Sequence, residues 1–61
     1  MDEAKKKVLK DLVAAAKDML GRIENELSGG YVSADYIAEK AGFAKSCVDG
    51  ILWRVQEGEG R

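Results

Sequence analysis

Apolar residues in the first half of the chain recur at steps of three and four, the spacing of one stripe along an α-helix. The stripe consists of Leu9, Leu12, Val13, Ala16, Met19, Leu20, Ile23 and Leu27. Two glycines, Gly29 and Gly30, follow it directly, and glycine commonly ends a helix. We therefore predict a single long helix over about residues 2–28.

The second half of the chain is interrupted by glycine. Ser33 has the side chain of a helix N-cap, and Gly42 breaks the helical pattern nine residues later. A second apolar stripe follows, consisting of Val48, Ile51, Leu52 and Val55. These signals predict a second helix over about residues 34–41, a turn at Gly42 with Phe43 buried, and a third helix over about residues 45–56. Residues 57–61 are expected to fray. The predicted fold is a single all-α domain of three helices over residues 1–61.

The stretch from Tyr36 to Ile51 resembles the helix-turn-helix of small DNA-binding domains. Ala38 is a small residue where the two helices would cross, and Gly42 lies four residues later at the turn. Val48 and Ile51 are apolar in the helix that follows. The resemblance implies that this last helix enters the major groove of double-stranded DNA. It further implies a small transcriptional regulator or an architectural protein that acts as a dimer.

The resemblance also implies a set of DNA contacts. The groove-facing candidates on the third helix are Lys45, Ser46, Asp49, Gly50 and Trp53. The candidates for phosphate contacts are Ser33, Tyr36 and Lys40. A lysine can bind guanine or phosphate, and a carboxylate can accept a hydrogen bond from the cytosine amine.

The apolar stripe of the first helix is long for two short helices to cover. Five of its members alternate at steps of three and four residues, the spacing at which two helices share a seam. These are Leu9, Leu12, Ala16, Met19 and Ile23. Either the stripe is core within one chain, or these five residues form the seam of a homodimer, and the sequence leaves both alternatives open.

The charge balance favours a different function. Ten lysine and arginine residues stand against eleven acidic residues, for a net charge of −1, whereas DNA-binding domains usually carry a positive excess. The alternative is a protein–protein interaction module of the same fold, without nucleic-acid binding. Its contact patch would be Trp53, Gly50 and Ser46, because an exposed tryptophan beside glycine gives a flat apolar surface. A bundle designed or excised for stability alone is a third alternative, which the free cysteine and imperfect helix caps disfavour.

The residue inventory argues against catalysis. The chain has no histidine, and Cys47 is its one cysteine. No histidine-based proton shuttle, no activated nucleophile pair, no zinc site and no disulfide can be drawn from these residues. We therefore expect neither an enzyme nor a cofactor or metal. The lack of a long apolar stretch predicts no membrane span, and the single thiol fits a cytoplasmic protein.

Overall fold

Two long helices form an antiparallel hairpin. The computed structural model describes residues 1–59, with side chains described as far as residue 56. Helix α1 spans Glu3–Leu27 and helix α2 spans Ala34–Glu59. Residues 1–59 contain no strand, so the prediction of an all-α fold is confirmed. The Cα positions extend over 47 × 18 × 10 Å, the proportions of a helical hairpin.

The prediction of three helices is wrong, because α2 continues through Gly42 without a break. No glycine among the described residues has a positive φ, and a Cβ placed on Gly42 would meet no atom within 4 Å. A glycine inside a helix costs only about 1 kcal/mol, and the packing of α2 along α1 outweighs that cost. No turn therefore separates Ala38 from Val48 and Ile51. Phe43, predicted to be buried in a turn, is 54% exposed on the helix surface.

Both ends of α1 lie within one residue of the predicted range. The Oδ1 atom of Asp2 caps the helix by accepting a hydrogen bond of 2.7 Å from the backbone N–H of Lys5. At the other end, the N–H of Ser28 donates to the carbonyl oxygens of Glu24 and Asn25 at 3.2 Å each. The helix thus ends without a left-handed glycine, unlike the sequence expectation.

The connection between the helices is held by hydrogen bonds at both of its ends. The Oγ atom of Ser33 accepts from the N–H of Tyr36 at 3.2 Å, as expected of an N-cap. The N–H of Ser33 in turn donates to the Oε2 atom of Glu26 at 2.8 Å. This second bond joins the start of α2 to the last turn of α1, so it fixes where the chain reverses. The predicted frayed tail, residues 57–61, is helical as far as Glu59, and its last two residues lie outside the described residues.

The helices meet along positions that alternate by three and four residues on both of them, the pattern of an antiparallel coiled coil. On α1 these positions are Lys5, Leu9, Leu12, Ala16, Met19, Ile23 and Glu26. On α2 and just before it they are Ser33, Ile37, Lys40, Ala44, Cys47, Ile51 and Arg54. Only Ala16 and Ala44 are buried, each 7% exposed, and the other members are half-buried.

The core of the hairpin is therefore small. Among the residues whose side chains are described, Ala16 and Ala44 are the buried hydrophobic residues, and no large side chain is fully buried. Hydrophobic stabilisation scales with the apolar area removed from water. Two alanines remove little area, so most of the apolar side chains of this chain still face solvent. Neither helix of the described range has the length and apolar character needed to cross a membrane.

Candidate protein-interaction surfaces

The five residues predicted as a homodimer seam lie along the contact between α1 and α2. Ala16 is buried there, and the methyl groups of Leu12 lie beside Gly50, where a Cβ would be 3.5 Å from Leu12 Cδ1. Met19 lines a groove together with residues of α2. Leu9 and Ile23 are half-buried on the same line of α1. Within the hairpin, the stripe is thus used for packing inside one chain.

An open groove lies on one side of this contact. Its volume is about 340 Å³. Ala15, Met19, Lys40, Phe43, Ser46 and Cys47 line it. The groove is shallow and mostly apolar, and the small side chain of Ala15 on α1 leaves its space unfilled. We call the side of α2 that borders it the aromatic face, defined by Tyr36, Phe43, Ser46, Gly50 and Trp53.

The aromatic face contains the patch predicted for a protein partner. Ser46 and Trp53 are seven residues apart and lie on the same side of α2, with Trp53 57% exposed. Gly50 between them is half-buried against α1. The guanidinium of Arg54 lies 5.6 Å from the centroid of the Trp53 ring. The residue that the sequence prediction missed here is Phe43, because it was assigned to a turn.

Lys40 lies inside this arrangement rather than on an outer surface. Only 18% of its side chain is exposed, and its Nζ atom is 5.2 Å from the Tyr36 ring and 5.6 Å from the Phe43 ring. Cation–π contacts of this kind stabilise a lysine whose stem is buried. Its ion pair with Glu39 is long, at 3.7 Å. Lys40 therefore interrupts the apolar line of α2 while still packing against α1.

An ion pair lies on the groove side of the hairpin, towards the connection between the two helices. Arg22 donates to Asp18 at 2.9 Å along α1. Asp18 raises the pKa of the Arg22 guanidinium above its ordinary value through this hydrogen bond and through its charge, and the Tyr36 hydroxyl across the groove adds to the effect. The side chain of Arg22 is half exposed, so the pair is solvated. Polar groups thus bound the aromatic face at this end.

The opposite side of the hairpin is aliphatic. Ala15 and Phe43 lie on the groove side. Leu20 and Val48 each follow one of these two residues by five positions, a rotation of about 140° that places them on the other side of the contact line. The exposed residues there are Val13, Leu20 and Leu27 of α1, spaced by seven, and Val48 and Leu52 of α2. Their exposed fractions run from 44% to 60%. We call these five residues the aliphatic face.

Sequence reasoning placed the aliphatic residues in the inward stripes of the first and third helices. The seven-residue spacing of Val13, Leu20 and Leu27 could have marked them as a separate line, because residues at a strict heptad repeat stay on one side of a supercoiled helix. The signal was hidden by the neighbouring core positions, which are also apolar. The structure separates the two lines.

The residues predicted to contact DNA do not form one surface. Lys45 and Asp49 are exposed on the outer side of α2, where they form an ion pair of 3.0 Å. Ser33 caps α2, and Lys40 lines the groove beside α1. Tyr36, Ser46, Gly50 and Trp53 belong to the aromatic face. Because no turn is present at Gly42, the helix carrying these residues is not held across a second helix by a steep corner.

The described part of the chain holds no group of three histidine, cysteine, aspartate or glutamate side chains placed to bind a metal ion. Cys47 is half-buried with a free thiol beside the groove. No family model, curated protein or solved structure matches this chain.

Proposed function

We propose that this chain is a protein-interaction module that works by self-association, a helical hairpin that joins a second copy of itself to complete a four-helix core. Of the two functions considered from the sequence, this proposal develops the interaction module. A hairpin of two amphipathic helices is half of the common four-helix bundle, in which short-looped helix pairs bury their apolar sides against each other.

The observation that carries the proposal is the burial of only Ala16 and Ala44 among the described side chains. A domain of about 60 residues is marginal even when it buries about 60% of the surface of its unfolded chain. Small domains that lack a sufficient core are usually stabilised by disulfides, by a metal or by oligomerisation. One cysteine cannot form a disulfide within the chain, and the described residues show no metal-binding cluster. Of these three sources, oligomerisation is the one that we propose for this chain.

Electrostatic contacts do not replace the missing core. Every ion pair of the described residues joins two residues of the same helix. Exposed pairs of this kind contribute about 0–1 kcal/mol each. The hydrogen bond between Ser33 and Glu26 fixes the chain reversal but buries no apolar surface. The stability of the hairpin must therefore come from apolar contacts, and a second copy supplies them.

DNA binding stays a prediction from the sequence resemblance. The patch of Trp53, Gly50 and Ser46 likewise stays a prediction for contact with another protein. The net charge of −1 supports association with protein over association with phosphate.

The proposal is tested by sedimentation equilibrium and thermal unfolding of the full chain between about 10 µM and 1 mM. We expect a mass twice that of one chain at the higher concentrations. We also expect the melting temperature to rise by several degrees for each tenfold increase in concentration, since mass action then adds about 1.4 kcal/mol. A single-chain mass together with a cooperative transition at the same temperature throughout would contradict self-association.

A further inference from the structure

We infer that the second copy docks on the aliphatic face, with the two α1 helices antiparallel about a two-fold axis, so that the aromatic face and its groove stay outside the bundle. This inference rests on the proposed self-association and adds the surface and the orientation. A two-fold interface places the same patch of both copies in contact, so each residue of the face must suit its counterparts on the same face.

The chemistry of the two faces decides between them. The aliphatic face presents valine and leucine at half exposure on both helices, and these are the residues that fill the cores of helical bundles. The aromatic face is interrupted by polar groups along its length. Lys40 lies within its groove, Ser46 lines it, and the Arg22–Asp18 pair stands at its end. Burial of these groups under a second copy would remove water from charges that have no new partner there.

The dimensions of the aliphatic side match those of a stable interface. Helices of 25 and 26 residues are about 37–39 Å long at 1.5 Å per residue. Two helices packed about 9 Å apart, each about 10 Å wide, offer a side about 19 Å across. Each copy can therefore bury about 700 Å², close to the roughly 800 Å² per partner of a standard protein interface.

Charge selects the antiparallel orientation. Lys10 and Glu24 flank the aliphatic line of α1 on the same side, fourteen residues apart, and neither forms an ion pair with a described residue. With the α1 helices antiparallel, Lys10 of one copy lies near Glu24 of the other, and the two-fold axis makes this pair twice. Lys17, midway between them, then lies near Lys17 of the other copy, so one like-charge contact stands against two pairs of opposite charge. A parallel arrangement would place Lys10 against Lys10 and Glu24 against Glu24.

The surface is tested with matched glutamate substitutions in the full chain. Leu20→Glu and Val48→Glu each place a charge in the aliphatic face, and Phe43→Glu places the same charge in the aromatic face as a control. We expect the dimer dissociation constant to rise at least about 100-fold for the first two variants and to change less than about threefold for the control, because only the first two bury an unpaired charge. Dissociation by Phe43→Glu with retention by Leu20→Glu and Val48→Glu would overturn the inference.

A charge exchange tests the orientation without touching the apolar side chains. Lys10→Glu and Glu24→Lys should each weaken the dimer roughly tenfold, and the double variant should restore it. Mixed in equal amounts, the two single variants should pair with each other in preference to themselves. Loss of the dimer in Leu20→Glu, Val48→Glu and Phe43→Glu alike, together with no restoration by the double charge exchange, would reject this surface even though the chain self-associates. A wild-type chain that never dimerises would instead reject the proposed function.

Discussion

Single residues decide whether this chain is a hairpin or a three-helix domain. Gly42 was interpreted as a turn because glycine is the residue that adopts left-handed conformations without steric cost. In the structure it has an ordinary helical conformation with open space where a Cβ would be. Ala44, two residues later, is one of the two buried residues among the described side chains. Ala44 is thus the residue that packs against α1, and Gly42 makes no contact that requires a glycine.

Replacement of Gly42 by alanine tests this arrangement. Because the glycine lies inside a helix and nothing obstructs a methyl group, Gly42→Ala should raise the free energy of unfolding by about 1 kcal/mol. Gly21→Ala, in the same open situation on α1, should give a similar gain and serves as the matched control. Chemical denaturation at one fixed protein concentration measures both. Destabilisation by Gly42→Ala with stabilisation by Gly21→Ala would show that the chain turns at Gly42.

At the scale of elements, the sequence predicted α1 closely and divided α2. The α1 stripe has an apolar residue at five consecutive contact positions, from Leu9 to Ile23, so its period is plain. The contact line of α2 contains Lys40, Cys47 and Arg54, while large apolar side chains such as Phe43 and Trp53 lie off that line. A hydrophobicity pattern alone cannot recognise a contact line that carries charge, because it is the lysine stem that packs.

The candidate surfaces were also predicted only in part. Trp53 was correctly predicted to lie outside the packed side of its helix, since its angle from Ile51 and Val55 follows from helix geometry whether or not the helix is divided. Only the α1 part of the aliphatic face could have been predicted, because the whole face exists only when α2 is continuous and antiparallel to α1. Which half of a broad apolar stripe stays exposed depends on the partner helix, and the sequence does not name that partner.

The connection between the helices provides a test at this scale. Glu26→Ala removes the carboxylate that accepts from the Ser33 N–H, and we expect a loss of about 1.5–3 kcal/mol, typical of a hydrogen bond to a charged group. Ser33→Ala removes the side-chain cap and should cost about 1 kcal/mol. Asn25→Ala is the control for Glu26→Ala, because Asn25 is exposed on the same turn of α1 and its side chain forms no hydrogen bond with a described residue. Equal effects of Glu26→Ala and Asn25→Ala in thermal unfolding would contradict a specific role for Glu26.

At the scale of the whole molecule, the two exposed apolar sides of the hairpin differ in the kind of contact that each suits. The aliphatic side suits burial in a permanent core, where close packing of branched side chains is stabilising. The aromatic side, with its groove and its tryptophan, suits contacts in which polar groups keep access to water. Self-association through the first would double the number of aromatic faces on one particle without covering either of them.

The position of Trp53 on an uncovered face makes it a reporter for the DNA prediction as well. It is the one tryptophan of the chain, it is 57% exposed, and it lies about one helical turn after Asp49 on α2. Because Asp49 already pairs with Lys45 at 3.0 Å, we expect no saturable change in Trp53 fluorescence when mixed-sequence duplex DNA is added at about 50 mM salt. A saturable response at about 50 mM salt that falls steeply by about 200 mM would indicate phosphate contact. If Lys45→Glu abolishes this response while Lys7→Glu, at the matching ion pair with Asp11 on α1, does not, the contact lies on this side of α2 and a DNA-binding module replaces the interaction module.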